Sequence, residues 1–405
     1  MGCLIQATDS EYVRAVKKPE IVTETFISAC YFDTTSTTKI FPFDNLEETS
    51  SDLACLQFVP VTEESFTAFY NSTSRPPTPL YGVNDWCCYF DDIEATRLAQ
   101  DQFDTLVAGQ KELGMQILDW SIGRSWVEYH SDLETTSQFP YVPYAEALDK
   151  YPGATTYYPR TTMINQFRPL DSICNNRNRF DVEIWAWLAM QRHYGENSYG
   201  GMLTSDFFKA HPEWRRWRKN AQQADGSEVC YFFPEVRQEC LDILLEVSRK
   251  GVDGLLIGCC RQVPMLLYHP EMIKTYQQHT GINPLEIDAS TGETYNNWIK
   301  WRANFFTQLL RDLSSELVAT EKELGKKTLV AVRIPAAGFF YNLAQGLDVK
   351  QWVSENLVDM LHLVPLEDRG GRGSQDIRPY QELCKSYDIP IIGGIGSRWE
   401  FNRES

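Results

Sequence analysis

Residues 234–260, PEVRQECLDILLEVSRKGVDGLLIGCC, decide the fold. The first part carries apolar residues at steps of three and four, with Pro234 just inside its start, and predicts an amphipathic helix over 234–249. The second part, 252–260, is a continuous apolar run. A strand that is apolar at every position is buried on both faces. That is the mark of a parallel sheet covered by helices.

Working outward, the same alternation recurs. Strand-like runs lie at 83–90, 115–120, 180–190, 328–334, 360–365 and 389–395. Helical patterns lie at 91–113, 296–324, 349–357 and 377–387. Seven β-then-α units favour a (β/α)8 TIM-type barrel over an open sheet. The eighth unit is not visible, so either an N-terminal strand closes the barrel or the barrel is incomplete or irregular. Residues 1–80 read as a short β-rich segment, with strands at 21–32 and 53–61 and a linker-like STSRPPTP at 72–79. Residues 81–405 form the barrel domain. The longest loops follow strand carboxyl ends, where barrels place their sites.

Composition narrows the function. Against 38 Lys+Arg stand 55 Asp+Glu in 405 residues, a formal charge of −17. That field repels phosphate and argues against nucleic acid. No stretch approaches the length of a membrane span, and no apolar leader opens the chain. The 11 cysteines include no CxxC and read as buried free thiols, which leans toward a reducing, cytoplasmic compartment. Export with a leader removed stays open. The six histidines show no HExxH and no paired spacing, so no metal is expected. Gly393-Gly394-Ile395-Gly396 lacks the context of a dinucleotide fingerprint, there is no Walker loop, and no cofactor is expected.

Several segments together resemble the glycoside-hydrolase-like family-ten barrels. They are GMQILDWSIGRS at 114–125, Ala210-His211-Pro212-Glu213-Trp214 with Asp225-Gly226, and Phe233-Pro234-Glu235-Val236-Arg237 leading into Gly251-Val252-Asp253-Gly254. A fourth runs from Tyr276 to Gly281 and on to Trp298 and Arg302. Their order covers about residues 83–395. The resemblance implies a TIM barrel and a carbohydrate substrate. One departure stands out: the run after Val252-Asp253-Gly254 ends in Gly258-Cys259-Cys260-Arg261, where such families carry an acidic residue.

Glycoside hydrolysis needs two carboxyl groups, one protonated and one ionised. Candidates at strand ends are Asp91, Asp92, Asp119, Glu183, Glu367 and Asp368. By alternation Asp181, Glu183, Trp185 and Trp187 share one face. Glu183 is therefore expected beside aromatic walls near the barrel mouth as the proton donor, with Glu367 or Asp119 as the second carboxylate. The alternative for each is an Arg-paired or solvated carboxylate. Asp253, at the start of its strand, reads as structural.

Arg124, Arg261, Arg333 and Arg398 end or follow strands. Converging, they would grip a uronic or sulfated sugar; otherwise they pair internally. Trp86, Trp120, Trp126, Trp185, Trp187 and Trp399 lie in or just after strands, where rings stack on sugar faces. Tyr268, Tyr194, His362 and His193 are candidate pocket residues. Trp214, Trp217, Trp298 and Trp301 read as helix packing. The expectation is a glycoside hydrolase on a polysaccharide or oligosaccharide. A non-catalytic saccharide-binding barrel, or a lyase or isomerase of acidic sugars, is the alternative.

Overall fold

The computed structural model describes residues 2–7, 26–30, 57–61, 80–84, 104, 108, 111, 115–123, 127–133, 168–190, 193, 195, 201, 204–260, 264–364 and 377–393. The chain divides into two compact units, Met1–Thr78 and Pro79–Ser405. In the first, β1 (Gly2–Ala7), β2 (Phe26–Cys30) and β3 (Gln57–Val61) form an antiparallel sheet in the order β2-β1-β3. Strand β1, in the middle, was not anticipated from the sequence.

The second unit is built on a parallel sheet of seven strands: β4 (Leu80–Asn84), β5 (Met115–Gly123), β6 (Glu183–Ala189), β7 (Gly254–Gly258), β8 (Leu329–Pro335), β9 (Met360–Val364) and β10 (Ile391–Gly393). Each strand pairs in parallel with its neighbour in chain order. This is the strand order of a TIM-type α/β barrel, in which each connection passes over the outside. Among the described residues no pair joins β10 to β4, so the sheet is open there.

Nine described helices accompany it. They are α1 (Pro169–Asn175), α2 (Arg177–Phe180), α3 (Asp206–Ala210), α4 (Pro234–Arg249), α5 (Pro270–Thr280), α6 (Glu293–Leu324), α7 (Phe339–Ala344), α8 (Val349–Ser354) and α9 (Arg378–Lys385). Helix α4 spans the predicted residues, with Pro234 in its first turn. Its buried residues include Val236, Cys240, Leu244 and Val247. Helix α6 buries Trp298, Phe306, Leu310 and Leu313, and it ends at Gly325, whose φ of 64° suits a left-handed C-terminal cap. Its start is three residues earlier than periodicity suggested.

Strand β6 shows how the sheet separates two layers. Ile184, Ala186 and Leu188 pack into the large core shared with the helices. Trp185, Trp187 and Ala189 point the other way, into a smaller cluster with Ile117, Leu256, Ala331 and Met360. This second layer is the inner face. Two glycines on β7 make it possible. A Cβ at Gly254 would stand 2.3 Å from Trp185, and one at Gly258 would stand 2.3 Å from Trp187 Nε1. Each indole lies across the strand where a side chain would otherwise be.

Candidate functional site

Among the described residues, the inner face carries a polar cluster. Asp119 is the fifth residue of β5, Arg333 the fifth of β8 and His362 the third of β9. Arg333 Nη2 donates to Asp119 Oδ2 at 2.5 Å. Arg333 Nε donates to His362 Nδ1 at 3.2 Å. The guanidinium carbon sits 4.6 Å from the centre of the Trp187 ring, a cation–π contact. All four side chains are buried. Because Nδ1 accepts, the ring proton of neutral His362 is on Nε2. Burial first, and the Arg333 charge second, push its pKa down to about 3. His362 is thus neutral at every ordinary pH.

A second carboxylate lies at the carboxyl end of the same strand. Ser121 pairs in register with Trp187 and so shares the inner face. Its hydroxyl donates to Glu128 Oε2 at 3.3 Å. Glu128 is 6% exposed. The chain returns to the strand end through a bridge between Gly123 and Val127, and Glu128 N donates to the Ile122 carbonyl at 2.9 Å. The segment is then clamped onto α4: Glu246 accepts from Tyr129 Oη at 2.5 Å, Ser131 Oγ at 2.7 Å and Asp132 N at 2.6 Å. Sequence reasoning passed over Glu128. The available signal was the alternation Val127-Glu128-Tyr129 directly after a strand-ending glycine.

The structure brings together Asp119, Arg333, His362 and Trp187 of the expected site residues. It places others elsewhere. Glu183 opens β6 instead of closing it, is exposed, and accepts from Trp185 Nε1 at 3.0 Å. It therefore stands at the amino end of β6, two residues before Trp185, the register partner of Asp119. Asp181 precedes the strand as the C-cap of α2, with φ 49°. Trp185 is fully buried against Gly254, in register with Asp119, with no face left for a sugar. Trp120 points to the helical layer. Tyr268 belongs to that layer too, 5.7 Å from Trp298 and under Lys219 and Arg302.

Arg333 takes the internal alternative, with its guanidinium committed to Asp119 and His362. His193 is buried, meets Ser205 Oγ at 3.1 Å and stacks on Phe208. Burial pushes its pKa down to about 4. Asp253 is a brace: it accepts from Ile184 N at 2.8 Å and pairs with Lys326 at 2.7 Å and Arg177 at 3.4 Å. Arg124, Arg261, Glu367 and Trp399 lie outside the described residues, as do Trp86, Asp91, Asp92, Trp126, Tyr194, Asp368 and Arg398. Among the described residues no three His, Cys, Asp or Glu side chains are grouped to hold a metal. No described helix is long and apolar enough to cross a membrane.

Comparison with known proteins adds a family. The model of the family described as glycosyl hydrolase-like 10 matches residues 147–365, more than half of the chain. No curated protein matches the sequence. Among solved structures, the chain is similar to the glycoside hydrolase domain of PelA from Pseudomonas aeruginosa, at 10% identity and a TM-score of 0.34, covering 79% of this chain and 83% of that one. It is also similar to an α-galactosidase from Thermus thermophilus, at 12% identity and a TM-score of 0.32, covering 76% and 46%.

Proposed function

The chain belongs to the glycosyl hydrolase-like 10 family, and we propose that it cleaves glycosidic bonds in a polysaccharide or oligosaccharide by carboxylate chemistry at the carboxyl ends of its strands. The observation that supports this is Asp119, a carboxylate on the inner face held at 2.5 Å by Arg333. Apolar side chains of Ile117, Trp185, Leu256, Ala331 and Met360 share the inner face with it. Preference for acidic or sulfated sugars rests on Arg124 and Arg261, since Arg333 is engaged inward. Trp187, Trp399 and His362 are the proposed stacking and hydrogen-bonding groups, and Glu367 remains a candidate carboxylate.

The test is a panel of cello-, chito- and xylo-oligosaccharides, polygalacturonate and chondroitin sulfate, followed by reducing-end release. The wild-type chain is expected to release ends from at least one of them. Asp119→Asn, folded by circular dichroism, is expected to lose roughly 10²–10⁴-fold of that rate while calorimetry still detects binding. Undiminished release by the variant removes Asp119 from the chemistry.

One observation favours a second reading, a saccharide-binding barrel without catalysis. Strand β7 ends at Gly258, followed by Cys259 and Cys260, with no carboxylate. Binding by calorimetry, with no reducing-end release from any member of the panel, selects that reading.

A further inference from the structure

We propose that Phe340, with Tyr295 beside it, is an aromatic platform that holds one sugar unit of a longer saccharide beyond the cleaved bond, an inference that rests on the proposed saccharide substrate. The observations begin at the end of β8, the strand that carries Arg333. The strand ends at Pro335, and Phe340 stands five residues later, as the second residue of α7. The turn between them is a loop at a strand's carboxyl end, where barrels place their ligands. Phe340 is 58% exposed. Among the described residues Tyr387 is exposed too, but it stands before β10, at a strand's amino end.

A built turn presents the ring. Gly338 takes φ 90°, a conformation that glycine adopts readily and other residues do not. Its N–H donates to Tyr380 Oη at 2.9 Å. Asn342 Nδ2 donates to the same oxygen at 2.8 Å and to the Pro335 carbonyl at 3.0 Å. Tyr380 and Asn342 are both fully buried. Phe339 packs inward, its ring 4.7 Å from that of Tyr380. The first phenylalanine thus anchors the turn, and the second is held outside it. A side chain carried on so fixed a turn has less to order when a ligand binds.

The occupant follows from the size and chemistry of this surface. Helix α6 brings Tyr295 to Phe340, with ring centres 6.3 Å apart and planes at 46°. Tyr295 is the third residue of that helix and is half-buried. One exposed ring and a half-buried neighbour offer far less apolar area than the ~800 Å² a side of a stable protein interface. They match a single sugar ring, whose C–H face stacks on an aromatic face while its hydroxyls stay in water. The neighbouring residues are polar and exposed. Asn296 and Asn297 follow Tyr295 in the chain, and Lys350 Nζ lies 4.8 Å from the centre of the Phe339 ring.

The test uses the full chain and whichever panel saccharide it cleaves, supplied as a series from two to eight units. Phe340→Ala is expected to raise KM roughly three- to tenfold for the longest member, with kcat held, and less than about twofold for the shortest. Phe340→Trp should keep the wild-type KM. Phe340→Leu, apolar but without a ring, should behave as Phe340→Ala does, and it keeps the side chain's bulk should the alanine variant fail to fold. Equal losses along the series, no change on the longest member, or full rescue by leucine overturns the platform. Calorimetry of the longest member should show binding weakened by the same factor, a readout that does not depend on hydrolysis. A wild type that pairs in solution, with Phe340→Ala monomeric by sedimentation, overturns the proposal in favour of a second copy of the chain. A wild type that neither cleaves nor binds any member of the series defeats the saccharide reading and this inference with it. One that does, with an unmoved Phe340→Ala, defeats this inference alone.

Discussion

Glu239 and His362 are buried ionisable groups that link stability to pH in opposite senses. Burial, with Asp242 adding to it, raises the Glu239 pKa to about 8. Its unfolded value is near 4.5. The folded chain therefore holds a proton there that the unfolded chain has released, and stability declines as pH climbs from about 4.5 through 8. His362 and His193 fold with values of about 3 and about 4, below the ordinary 6.5. Between those values the unfolded chain binds more protons, so their contribution is full above 6.5 and is lost as pH falls through 4 and then 3. A replacement that cannot ionise isolates the first effect. Glu239→Gln is expected to match the wild type near pH 4 and to exceed it near pH 8 by a few kcal/mol, measured by urea unfolding at the two pH values. An equal effect at both would mean that Glu239 does not titrate in this range.

At the scale of elements, legibility depended on how much of each element is buried. Helix α4 buries nine of its residues, from Val236 to Ser248, and periodicity located it end to end. Helix α5 buries only Met272 and Tyr276, so its pattern was too thin to register. Strand β6 was legible as a strand and misread in height. Alternation places Glu183 and Trp187 on one face, but it does not say which end of the sheet each occupies; the pairing of Glu183 with Ile117 does. Glu128 escaped because it lies on a short return held by tertiary contacts, and those leave no local period. The clamp on that return can be tested directly. Glu246→Ala removes the acceptor of three donors, Tyr129 among the buried ones. The expected loss is about 1–3 kcal/mol for the buried groups left without an acceptor. Amide hydrogen exchange should rise across 127–133 while α6 keeps its protection. Unchanged exchange in 127–133 would show that the bridge at Gly123 and Val127 is sufficient to hold the segment.

Over the whole chain, the charge of −17 and the buried Arg333–Asp119 pair belong to different electrostatic regimes. The excess of carboxylates acts through solvent and is screened over about 8 Å at physiological salt. It repels itself in the compact state more than in the expanded one, which opposes folding. Surface pairs such as Lys327–Asp359 and Arg218–Asp225 act the other way, and each contributes only about 0–1 kcal/mol before screening. Arg333 and Asp119 are enclosed by protein, so salt reaches them little. Among these, the net repulsion is the largest quantity that salt removes. Raising sodium chloride from 20 to 300 mM is therefore expected to raise the melting temperature by about 2–5 °C. The rise should be the same in sodium sulfate and sodium chloride once ionic strength is matched, apart from the general stabilisation by sulfate. A fall in melting temperature would mean that attractive surface pairs outweigh the repulsion. In that case the acidic excess must be interleaved with basic groups closely enough to cancel at short range, and the distribution of charge, rather than its sum, would set the behaviour of this chain toward anionic polymers.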